Sequence, residues 1–171
     1  MRQLRVLAII VIALALQTTL ARFLVRGSIG VDLVLVAVVY LGLTSGPAAG
    51  VVSGTLGGLA QDALASGLVG LGGLAKTIVG YLTGMIGTTF IVAQVVPRFL
   101  IFFGATLVQA TVVMGLTALL ERAPFAVSFG AVAAQAIGNA LLGVVLFQAT
   151  EALPGILERR RAMRRGRGRR C

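Results

Sequence analysis

The chain has 171 residues, 58% of them hydrophobic and only 12% charged, with a mean hydropathy of +1.02. That composition excludes a water-soluble globular domain and implies one polytopic, all-α membrane domain, because in lipid the backbone polar groups must be satisfied within the helices themselves. The net charge is +10, histidine and tryptophan are absent, and the single cysteine, Cys171, allows no internal disulfide.

In chain order, Arg2 and Arg5 precede an apolar run from Val6 to Leu20 that has the look of a signal peptide. No convincing A-x-A cleavage site comes before "RFLVRG", so the run reads as a first span, Leu4 to Ala21. Asp32 is placed to cap a second span, Leu33 to Leu43. A helix of that size rises only about 16 Å. Span 2 therefore extends into its flanks, is a short buried helix, or fuses with span 3 through the Gly46-Pro47 bend. Proline is preformed for a first helical turn, which favours a fresh start for span 3, Pro47 to Ala65. Span 4 is Leu71 to Ala93, span 5 Phe99 to Leu120 and span 6 Ala126 to Thr150, giving six spans, or five if spans 2 and 3 fuse. A domain of residues 1–158 is followed by a tail, 159–171, that reads as disordered.

The tail carries eight arginines between 159 and 170, which predicts a cytoplasmic C-terminus. With six spans the cytoplasmic side also holds Arg2, Arg5 and Arg98, and the outer side holds Arg22, Arg26 and Arg122. The five-span arrangement merely exchanges the first two pairs. Arg159, Arg160, Arg161, Arg164 and Arg165 read as a topological anchor lying on anionic lipid rather than as a nucleic-acid site.

Span 3 sets glycines at 46, 50, 54 and 58 and ends the row in Asp62; span 4 repeats the spacing with Gly72, Lys76, Gly80 and Gly84. In water four helical glycines would each cost roughly 1 kcal/mol against alanine. In a bilayer a small-xxx-small row lets helix backbones touch, so the row is a packing ridge, internal or offered to a partner. The short "SGLVG" connection makes spans 3 and 4 an antiparallel hairpin whose glycine faces meet each other or grip a third helix. Asp62 and Lys76 both lie on these ridges, and an intramembrane charge is a functional candidate by default. The two are open to pairing as a clip across the hairpin, to forming a polar site for a partner or ligand, and to lining an ion pathway. Gln17, Gln109, Gln135 and Asn139 read as interhelical hydrogen-bonding groups.

Catalysis finds no foothold in the sequence: "GVVSG" around Ser53 has no histidine to activate it, and no zinc motif, cysteine pair or P-loop occurs. An enzyme, a cofactor and a metal are not expected.

The block "VDLVLVAVVYLGLTSGPAAGVVSGTLGGLAQDALASGLVGLGGLAKTIVGYL", Val31 to Leu82, resembles the central block of the rod shape-determining protein MreD family. The shared features are an Asp-Leu start to a short second span, a glycine-stepped third span ending in Asp, a Gly-rich turn and a "GYL"-like segment, with "LQTTL" near the N-terminus. Val31, where the family usually has proline, and the long arginine tail depart from the pattern. The resemblance implies a non-enzymatic scaffold in the bacterial inner membrane. It would bind the bitopic protein MreC and, through it, a class B penicillin-binding transpeptidase, a RodA-type glycosyltransferase and the MreB filament. It also implies a fold similar to the six-helix substrate-binding subunits of energy-coupling-factor vitamin transporters. Such a subunit is the alternative reading, against which stand the missing A-x-x-x-A motif in span 1 and the absence of tryptophan.

Overall fold

A computed structural model describes residues 2–23, 30–65, 70–90, 92, 94–121 and 128–167. These residues form six helices: α1 (Arg2–Phe23), α2 (Leu33–Ser45), α3 (Pro47–Leu64), α4 (Leu71–Thr89), α5 (Val95–Glu121) and α6 (Phe129–Arg167). Two of them contain stretches long and apolar enough to cross a membrane, Val95–Leu120 in α5 and Phe129–Ala152 in α6. The part of α5 ahead of the expected start at Phe99 includes Pro97, tolerated because the first helical turn needs no hydrogen bond from its nitrogen. α4 stops at Thr89, with Phe90 extended behind it, short of the expected Ala93. The backbone of α6 stays helical through Arg159, Arg160, Arg161, Arg164 and Arg165 to Arg167, where the sequence reads as disordered. Arg26, Arg122 and Cys171 lie outside the described residues.

α2 and α3 do not fuse. Gly46 sits between them at φ +87°, a left-handed conformation that closes α2 through its N–H to the Gly42 carbonyl, and Pro47 opens α3 at its first position. α2 is the short buried helix among the three possibilities. Its eight buried residues include Val34, Leu35, Val36, Ala37, Val38 and Val39 in one run, so every face of the helix is covered. α1, α3, α4, α5 and α6 all pack against it.

Sequence neighbours run antiparallel throughout. Gly50 faces Gly80, Gly54 faces Lys76, and Gly58 faces Gly73 across α3 and α4. Thr106 meets Asn139 and Arg98 meets Glu151 across α5 and α6. Val6 and Leu7 of α1 lie beside Ala48 and Ala49 of α3, so the starts of α1, α3 and α5 and the late turns of α2, α4 and α6 share one end of the bundle.

The glycine ridges are an internal seam. A Cβ at Gly50 would fall on the Gly80 carbonyl and one at Gly80 on the Gly50 carbonyl, a reciprocal approach that suits Cα–H to carbonyl contacts. A Cβ at Gly84 would collide with the backbone of Pro47, and Thr55 and Thr77 share a hydroxyl hydrogen bond of 2.8 Å across the same seam. α4 also presents its backbone to α2: Gly42 abuts Thr83 and Gly80, and Gly87 abuts Leu43. Of the two expected arrangements the first holds, ridge on ridge, with no helix gripped between the two faces; α2 packs beside the seam on α4. Gly46 is the exception in the row of four, being the turn rather than part of the ridge.

A leucine at Gly54 would drive a branched side chain into the Lys76 carbonyl and the Thr77 Cα, whereas one at half-exposed Val52 adds a methylene to an open face. Gly54→Leu is expected to cost about 3 kcal/mol or more and to abolish protease resistance of the purified protein, with Val52→Leu nearly silent. Equal tolerance of both would remove the seam from the account.

Candidate functional site: a buried polar junction at the start of α2

α2 begins inside the molecule, so its first amide hydrogens have no solvent to receive them. The N–H groups of Asp32, Leu33 and Leu35 are each met by a side chain. Asp32, at the N-cap with extended φ and ψ, turns its Oδ1 onto the Leu35 N–H at 2.9 Å. The Leu33 N–H donates to Gln17 Oε1 of α1 at 2.7 Å, while Gln17 Nε2 donates to the Val31 carbonyl at 3.1 Å. The Asp32 N–H donates to Asn139 Oδ1 of α6 at 2.9 Å, and Asn139 Nδ2 donates to Thr106 Oγ1 of α5 at 3.1 Å.

The carboxylate is neutralised from α4. Lys76 Nζ lies 2.8 Å from Asp32 Oδ2, with both side chains at most 5% exposed, and Gln109 Nε2 of α5 donates to the same oxygen at 3.1 Å. Negative charge at a helix N-terminus also meets the positive end of the helix dipole. Five helices thus converge on Asp32, with α3 alone standing outside the junction. Its chemistry is that of a satisfied ion pair: Asp32 accepts three hydrogen-bonding donors, so the buried charges stabilise one another and orient the amides around them.

Lys76 therefore pairs with Asp32 and not with Asp62. The clip across the α3–α4 hairpin is corrected, because Asp62 faces the other way along its own turn. Asp62 Oδ2 accepts the N–H groups of Gly70 at 2.9 Å and Gly73 at 3.0 Å, which makes it a side-chain cap for the start of α4. α4 needs one, since its own N-cap, Gly70 at φ +110°, has no side chain to supply it. Asp62 also abuts Gly72, where a Cβ would meet its carboxylate, so Gly72 serves the cap rather than the ridge contact. Asp32 caps α2 as expected and does more than cap. Three of the four expected amides, Gln17, Gln109 and Asn139, do bond across helices.

A second ion pair escapes notice in the sequence. Arg98, near the start of α5, forms a two-pronged bond to Glu151 of α6, Nη1 to Oε2 at 3.0 Å and Nη2 to Oε1. Its Nε donates to the Val92 carbonyl at 3.0 Å, and its guanidinium stacks 4.6 Å from the Phe147 ring centroid. Arg98 is buried while Glu151 is 58% exposed, so this pair closes the opposite end of the α5–α6 hairpin at the surface. The only signal in the sequence was a lone basic residue early in one apolar run and a lone acidic residue late in the next.

Asn in place of Asp32 keeps the cap and removes the charge. Asp32→Asn and Lys76→Met are each expected to cost about 3–5 kcal/mol, and the double change much less than their sum, because only the single changes strand a buried charge. Asp62→Asn should cost about 1 kcal/mol, as a weakened cap does. Unfolding midpoints in detergent check the ranking; an Asp62→Asn loss equal to that of Asp32→Asn would reverse it.

The family model for rod shape-determining protein MreD matches residues 1–153, which takes in all six helices up to the arginine run. No curated protein and no solved structure matches the chain. The expected likeness to vitamin-binding transporter subunits thus rests on the family resemblance alone, and the transporter alternative finds no support. The family and the two long apolar helices together point to a membrane protein. With nine-tenths of its length covered by that model, the chain belongs to the MreD family, and its role lies in rod shape determination.

Proposed function

We propose that the protein is a six-span scaffold of the bacterial inner membrane that binds MreC and, through it, helps organise the transpeptidase, the glycosyltransferase and the MreB filament of lateral wall synthesis. The family match over residues 1–153 carries the reading. The use made of the charges supports it: Asp32, Lys76, Asp62 and Arg98 all hold helices to one another. Such employment suits a rigid docking body better than a reaction centre.

In this proposal the six alternating helices each cross the membrane, so both ends of the chain lie on one side, and the arginine tail supports assigning that side to the cytoplasm. Arg98 and Arg5 stand at the same end of the bundle as the tail, in keeping with this orientation. α2, at 13 residues, rises only about 20 Å and serves as the short central crossing, its faces covered by the five helices packed around it. Because the α3–α4 glycines are used internally, MreC is received on other faces, and the ridge contributes by keeping the body rigid.

Purification from native membranes followed by mass spectrometry is the test. MreC and wall-synthesis enzymes are expected to co-purify; transporter ATPases in their place would overturn the reading. Deleting residues 159–171 is expected to impair insertion or orientation while leaving MreC recovery per inserted molecule unchanged. Loss of MreC from correctly inserted protein would assign the tail to the partner instead.

A further inference from the structure

The helices divide by the kind of contact they make. Within α2, α3 and α4 backbone touches backbone, at Gly50 and Gly80, at Gly58 and Gly73, and at Gly87 and Leu43. α5 and α6 form a second body with clamps of its own: the Arg98–Glu151 pair at one end, the Thr106–Asn139 bond further along, and the Phe102 ring seated on Gly143 between them. Between the bodies the contact is apolar side chain on side chain, with Leu35, Val36, Val39 and Val79 against Phe102, Ala105, Ala140 and Phe147. Along part of the boundary even that is missing, and a trough opens between α4 and α5, bordered by Leu82, Thr83, Ile86, Leu100, Gly104 and Val108.

Two hydrogen bonds cross this boundary at Asp32, one from Gln109 of α5 to its carboxylate and one from its own N–H to Asn139 of α6. In lipid, separating two apolar helix faces forfeits van der Waals contact but little hydrophobic energy, since acyl chains replace the lost neighbours. A hydrogen bond to a buried charge finds no such substitute there. Both helices of the second body are also the two apolar enough to stand in lipid without help.

We infer that α5 and α6 dock as a unit on the α1–α4 body with Asp32 as the latch, and that releasing the latch opens the molecule along the α4–α5 trough while each body stays folded. The bodies are then separate units of stability within one chain, in the manner of locally cooperative segments that open below the global unfolding limit. The inference does not depend on which partner the protein binds.

Spin-label distances on the full chain in lipid nanodiscs, with Cys171→Ser, test it. Leu82 and Leu100 report across the trough, Leu56 and Leu74 within the α3–α4 hairpin, and Leu100 and Val145 within the α5–α6 hairpin; all of these side chains are exposed. Gln109→Leu with Asn139→Leu removes both crossing bonds, together with the Asn139–Thr106 bond inside the second body, and leaves the Asp32–Lys76 pair and the Arg98–Glu151 clamp in place. The separated population of the Leu82–Leu100 pair is expected to rise roughly tenfold or more, with the other two distances unchanged. An unchanged Leu82–Leu100 distance, or all three distances broadening together, would overturn the latch. If the double variant yields no folded protein, Gln109→Leu alone decides by the same criteria with a smaller rise.

Discussion

An α-helix that starts within an apolar interior leaves amide hydrogens without water to receive them, and α2 starts in this way. The answer is one carboxylate, Asp32, and the groups it gathers: Lys76 from α4, Gln109 from α5, Asn139 from α6 and, on the flanking peptides, Gln17 from α1. Were Asp32 apolar, Lys76 would be an unpaired cation in a low-dielectric interior and Gln109 would lose its acceptor. Four other helices therefore send side chains to one buried helix terminus, and their bonds to it tie their positions together.

The glycine seam and the polar junction divide the work. Glycines bring α2, α3 and α4 to backbone contact, which supplies dispersion energy over a large area but little directional information. Hydrogen bonds at Asp32 have direction and fix the register. The two meet at Lys76, whose carbonyl faces Gly54 across the seam while its ammonium reaches Asp32. Lysine suits both tasks because its backbone can sit on a small-residue ridge while its long apolar stem carries the charge away from it.

In the proposed scaffold role, rigidity is the property that matters, since an interface holds its geometry only as well as the body behind it. The glycine-packed α2–α4 layer is built for that. The α5–α6 hairpin is bound to it more lightly, through side-chain packing and the bonds at Asp32.

Hydrophobic runs, proline and charge placement were enough to find the helices, since uncharged stretches in a membrane protein must become helices and Pro47 can only begin one. The "VDLVLVAVVY" block together with the glycine-stepped row ending in Asp62 also carried the family. The glycine spacing showed that α3 and α4 would pack closely, because backbone contact is the one use a membrane helix has for so many small residues at intervals of four. Which charges meet was decided only by the fold. Asp62 and Lys76 are near in sequence and lie on facing ridges, whereas Asp32 and Lys76 are far apart in the chain and meet because α2 runs parallel to α4 through the centre of the bundle. Arg98 and Glu151 were hidden for the same reason. Side-chain pairing across a bundle depends on helix rotation and depth, and these are set by the sum of all contacts rather than by any local run of residues.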